Sequence, residues 1–148
     1  MVLPTAVIAY LLDKLDDWKE TNTNLVSGIE GSEDSNSQEL PAIIIYSDFD
    51  ETAELDSKKV YPTTLPCSIY AMFFSESFET AKESFNKAFL MAVTFLKLYS
   101  ENFDFQVINT NEVLENVHLR LQEIPVTVIK KSASGSVVQL SFTYDIGL

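Results

Sequence analysis

The chain has 148 residues, 46% of them hydrophobic and 22% charged, which suits one globular domain with a real core and argues against disorder of the whole chain. Its formal net charge is −12. A surface of that sign repels phosphate, so adhesive nucleic-acid binding is disfavoured, while the same repulsion suits a surface that DNA slides past. The acids are unevenly spread: residues 1–60 hold 13 acidic and 4 basic residues, and residues 61–148 hold 9 and 6. One cysteine and one histidine exclude an intramolecular disulfide and a four-cysteine zinc site.

The opening MVLPTAVIAYLL is apolar but has neither a basic leader region nor a cleavage pattern. It is too short to span a bilayer and runs into acids, so a protein made and used in a cytoplasm is expected. From Thr5 to Glu20, Ile8, Leu11, Leu12, Leu15 and Trp18 recur at helical spacing, with Asp13, Asp16, Asp17 and Lys19 on the other side. This predicts an amphipathic helix with Trp18 as a core anchor and Pro4 just before its start.

Residues 21–40 are rich in Ser, Asn, Gly and acids and predict an exposed loop of the kind that orders on a partner. PAIIIYS, 41–47, has a continuous apolar run that predicts a short strand buried on both faces. An acidic connection follows over 47–61, with Phe49, Leu55 and Tyr61 as candidate apolar anchors between subunits in otherwise polar runs. PTTLPCSIYAMFFS, 62–75, predicts a central strand, because Cys67, Ile69, Ala71 and Phe73 face one way while Tyr70, Met72 and Phe74 face the other. Cys67 therefore reads as a small buried hydrophobe. It would need a base to act as a nucleophile, and nothing in the pattern links it to His118.

The longest helix is predicted over 76–100, capped by Ser77, with Phe78, Phe85, Phe89, Ala92, Leu96 and Tyr99 along its buried face. The remainder predicts strands at 102–110, 116–131 and 137–146. Pro125 marks a bulge or an edge, and SASGS (132–136) supplies a hairpin turn. The expected order is α, β, β, α, β, β, β. The expected fold is α+β, a single domain with a mainly antiparallel sheet of four to five strands and two helices packed on one face.

One segment points to chemistry. After the strand AIIIYS come Asp48, Phe49, Asp50, Glu51 and Thr52, a run that resembles the DxDxT motif of haloacid dehalogenase-type phosphatases. That resemblance implies Asp48 as nucleophile, Asp50 as general acid and base, and a Mg²⁺ ion between carboxylate and phosphate. FQVINTN (105–111) resembles the family's second motif and nominates Thr110. The family's later parts are missing. Lys130 and Lys131 are the only lysines that follow that segment, and they precede a turn. Glu112, Glu115, Glu123 and Asp145 do not form the later acidic pair. The expected architecture also differs from the family's alternating parallel sheet. No catalytic residue, metal or cofactor is therefore assigned, and an enzyme is not expected.

The order of AVIAYLLDKLDDW, LPAIIIYSDFDETAELDS, PCSIYAMFFS, the long helix and the terminal VVQLSFTYDI resembles the tail terminator and tail-completion (head-tail joining) proteins of tailed bacteriophages. The resemblance is one of pattern and covers nearly the whole chain. It implies a structural virion protein of the tail neck, made in the host bacterial cytoplasm. Such a protein forms a ring with copies of itself, usually six. The ring caps the tail tube and meets the head connector, and DNA passes through without specific binding. No membrane is involved. A third reading, drawn from charge alone, is an acidic adaptor.

Overall fold

The computed structural model describes residues 3–21, 28–30, 39–49, 64–101, 106–107 and 117–147. Helix α1 spans Pro4–Thr21 and helix α2 spans Ala81–Glu101. The strands are β1 (Gly28–Glu30), β2 (Ala42–Tyr46), β3 (Thr64–Phe74), β4 (Gln106–Val107), β5 (Val117–His118), β6 (Arg120–Lys130) and β7 (Val137–Gly147). Five of them form one sheet in the order β1-β2-β3-β7-β6, and β4 pairs with β5 in a small second sheet. Among the described residues only the β1–β2 pair is parallel, and the other pairs are antiparallel.

Residue alternation explains the layers. Ile43 and Ile45 of β2 share a face with Cys67, Ile69, Ala71 and Phe73 of β3 and with Val138, Leu140, Phe142 and Tyr144 of β7. Val7, Leu11 and Leu15 of α1 and Ala88, Met91, Ala92, Phe95 and Tyr99 of α2 join the same buried cluster. Both helices therefore lie on one face of a mainly antiparallel sheet, α1 towards β1, β2 and β3, and α2 over β3 and β7. Each large apolar side chain buried there contributes about 1.5–3 kcal/mol. The other sheet face is only partly covered: Tyr70, Met72 and Phe74 are half-buried, Ala42 and Ile44 are fully buried. On that face Tyr46 lies 5.1 Å from Tyr70, ring to ring, and its hydroxyl donates to Gln139 Oε1 at 2.9 Å.

β3 is central, as its two apolar faces require. Its Pro66 sits beyond Tyr70, where β2 ends, so among the described residues the missing N–H falls where β3 pairs with β7 alone. β6 is an edge strand whose register slips between Leu121 and Val126, around Pro125.

Several expectations need correction. The segment 21–40 is not loop throughout, because Gly28–Glu30 pairs in parallel with β2 and so satisfies backbone groups along that edge. The segment 116–131 is not one strand: Val117–His118 turns away to pair with Gln106–Val107, and β6 begins at Arg120. Helix α2 starts at Ala81, not at 76, and its cap is Thr80, not Ser77. Thr80 Oγ1 accepts the Glu83 N–H at 3.2 Å and donates to Glu83 Oε1 at 2.9 Å, a close variant of the reciprocal capping box. The buried face of α2 is also rotated from the expected phenylalanine stripe. Ser84, Ala88, Met91, Ala92, Phe95 and Tyr99 face the sheet, while Phe85 is half-buried and Phe89 is exposed. Small Ala88 and Ala92 let the helix approach the sheet closely, and Met91 and Phe95 fill the space beside them. The Trp18 side chain, expected as a core anchor, lies outside the described residues.

Candidate functional site

The end of β2 carries the start of the acidic motif. Asp48 is exposed, and Tyr70 Oη donates to its Oδ2 at 3.5 Å. Ser47 Oγ donates to the Ser68 carbonyl at 2.8 Å and accepts the Phe49 N–H at 3.1 Å, which turns the chain as it leaves the strand. Phe49 is half-buried and packs against the core, so at least part of its ring is committed within the subunit. Leu55 and Tyr61, the other two candidate anchors, lie outside the described residues, as do Asp50 and Thr110. Among the described residues no group of three or more His, Cys, Asp or Glu side chains is placed to hold a metal ion. β2 is flanked by antiparallel β3 and parallel β1, unlike the wholly parallel setting of the phosphatase motif.

Cys67 and His118 occupy different environments. Cys67 is buried in the core, with Ser47 Oγ 3.6 Å from its Sγ. His118 is exposed on β5, in register with Gln106. The reading of Cys67 as a small buried hydrophobe matches its place.

A buried polar pin ties the β6–β7 turn to the start of α2. Ser84 Oγ and Ser136 Oγ are 2.6 Å apart, and Ser84 Oγ also donates to the Ser132 carbonyl. Ser136 N–H donates to Ser75 Oγ at 2.8 Å, Ser132 N–H donates to Ser136 Oγ at 3.2 Å, and Phe78 N–H donates to the Ala133 carbonyl at 2.8 Å. Gly135 has φ 145°, and a Cβ there would meet the Ser75 carbonyl oxygen at 3.2 Å. The turn is thus held by short side chains at a place where only glycine relaxes the backbone. These contacts fix the end of β6 against α2.

The surface they fix was not foreseen from sequence. β6 pairs with β7 on one side and, among the described residues, with no strand on the other. It exposes Leu121, Ile124, Val128 and Ile129, with Ile124 at 74%. Lys131 Nζ sits 5.0 Å from the centre of the Phe85 ring, and that ring lies 5.8 Å from Phe89. The apolar edge of β6 therefore continues through Lys131 onto the flank of α2, where Phe89 and Val93 are also exposed. Single exposed apolar residues are ordinary; a long, unpaired edge rich in them is a template for association. The signal was present in the sequence as VTVIKK, whose consecutive apolar residues cannot all face inward on a strand.

Charge is segregated across the same layer. Asp13, Asp16 and Asp17 are exposed on α1, which lies over the β1–β2 end of the sheet. Lys130 and Lys131 are exposed at the β6 end, while Arg120 is held by Asp145 at 3.3 Å. Among the described residues no helix is long and apolar enough to cross a membrane. Comparison with protein-family models finds none that matches the chain, and comparison with curated proteins finds no match.

Proposed function

We propose that this chain is a structural assembly protein of the phage tail-terminator or tail-completion class. Copies of it form a ring at the head-tail neck that stops the tail tube and meets the head connector. Its work is geometric: the ring presents one surface to the tube and another to the connector, and DNA passes through a channel that repels it. The observation that supports this reading best is the architecture. Two helices pack on one face of a mainly antiparallel sheet, with an N-terminal helix, a short apolar strand, a long central strand, a crossing helix and terminal strands in that order. The acid excess favours a channel that does not hold phosphate.

Negative-stain electron microscopy and native mass spectrometry of the purified protein, alone and with tail tubes, test the proposal. Rings of uniform copy number, free or seated on tube ends, are expected. A protein that stays monomeric and ignores tubes sinks it. A parallel assay follows Mg²⁺-dependent hydrolysis of an aryl phosphate. Turnover that disappears in Asp48→Asn overturns the structural reading in favour of phosphoryl chemistry.

A further inference from the structure

We infer that the β6 edge, with the adjoining flank of α2, is the surface through which one copy of this chain binds the acidic face of α1 (Asp13, Asp16 and Asp17) on a second copy. The inference deepens the ring reading and rests on it for the head-to-tail sense of the contact. Ile124, Val128 and Ile129 supply exposed apolar side chains along β6 and Phe89 supplies one on the flank of α2, while Lys130 and Lys131 end the strand as exposed bases.

The occupant follows from charge. The chain is strongly acidic overall, yet residues 117–131 hold three basic residues against one acid. The first 60 residues hold 13 of the chain's acids, and Asp13, Asp16 and Asp17 form an exposed stripe on α1. Each copy thus carries a basic apolar edge at one end of its sheet and an acidic face towards the other end. Opposite faces of this kind complement one another between neighbouring copies.

A symmetric contact of β6 with β6 fits less well. Antiparallel pairing of two such strands about Pro125 sets Lys130 of one copy beside Arg120 of the other, and directly opposed like charges destabilise a strand pair. Pro125 also lacks a donor at the middle of that ladder. The favoured contact is therefore heterologous, one face against a different face, which is the kind that propagates into a ring or a filament. The serine pin between the β6–β7 turn and α2 keeps strand edge and helix flank in one rigid arrangement, which limits the ordering cost of binding.

The test uses the full chain. Wild type, Lys130→Glu/Lys131→Glu, Asp13→Lys/Asp16→Lys/Asp17→Lys, a chain carrying both sets, and Ile124→Ser/Val128→Ser are compared by sedimentation velocity over a range of concentrations. Far-UV circular dichroism verifies that each is folded. Either charge reversal should weaken self-association about tenfold or more, the combined swap should recover most of it, and added salt should weaken the wild type. Ile124→Ser/Val128→Ser should also dissociate the assembly. In a mixture of unlabelled and ¹⁵N-labelled wild type, carbodiimide should join Lys130 or Lys131 of one copy to Asp13, Asp16 or Asp17 of another. An oligomer indifferent to all these variants overturns the surface while leaving the ring reading intact. A closed dimer held by this surface supports the surface and overturns the ring. A wild type that is monomeric at its highest soluble concentration overturns the inference.

Discussion

Phe95→Ala is the most direct probe of whether the two helices and the sheet share one core. Phe95 is fully buried, and its ring lies 5.4 Å from that of Phe73 on β3 and 5.9 Å from that of Phe142 on β7. Truncating a buried phenylalanine costs about 3–5 kcal/mol through lost transfer energy and the cavity left behind. Within that figure the edge-on contact with Phe73 and the tilted contact with Phe142 contribute about 0.5–1.5 kcal/mol each. A domain near 150 residues loses about 2–4 °C of Tm per kcal/mol, so a fall of about 6–20 °C is expected. Phe89→Ala, six residues on the N-terminal side of the same helix, is the control. Phe89 is 44% exposed and stacks on Phe85, so its loss should cost about 1 kcal/mol or less. Urea unfolding followed by far-UV circular dichroism, with a common m-value, measures both. Equal costs for the two variants, or a loss below about 1 kcal/mol for Phe95→Ala, would refute the rotated helix face and the shared core.

Two further outcomes follow from local contacts. Ser136→Ala removes the acceptor of the Ser132 N–H and the hydroxyl partner of Ser84, so it should cost about 1–3 kcal/mol and speed amide exchange in the β6–β7 turn. Unchanged exchange there would show that the pin does not hold the turn. Thr80→Ala should cost about 1 kcal/mol in thermal melts, and Thr80→Asn should recover most of it, since the α2 cap needs a side-chain oxygen and not a methyl group.

The candidate site was less legible than the fold. DFDET pairs two carboxylates after a strand, yet of that pair only Asp48 lies among the described residues, exposed and beside Tyr70. Phe49, Leu55 and Tyr61 are apolar residues in polar runs. Phe49 is half-buried against its own core, because a phenylalanine three residues beyond a buried strand can still fold back onto that core. The exposed β6 edge is the opposite case, an apolar run that reads as inward-facing and lies partly outward. VTVIKK reads as good strand, and sequence alone does not say that its outer side pairs with no strand among the described residues.

The fold class was legible in the sequence. AIIIY and the two apolar faces of CSIYAMFF required buried, paired strands, and the alternation through Val138, Leu140, Phe142 and Tyr144 required a strand with one face inward. Periods of two and of 3.6 are local properties, so each segment carries them without reference to the rest. The tertiary structure alone decided which strands are neighbours, that β1 joins in parallel, and that β6 is left at the edge. It also decided that α2 turns Met91 and Phe95, and not Phe89, towards the sheet. The spacing of Ser84, Ala88, Met91, Phe95 and Tyr99 was as helical as that of the phenylalanines. A helix with two apolar stripes can bury only the one whose shape fits the surface beneath it, and the side chains that form that surface come from strands far away in the chain.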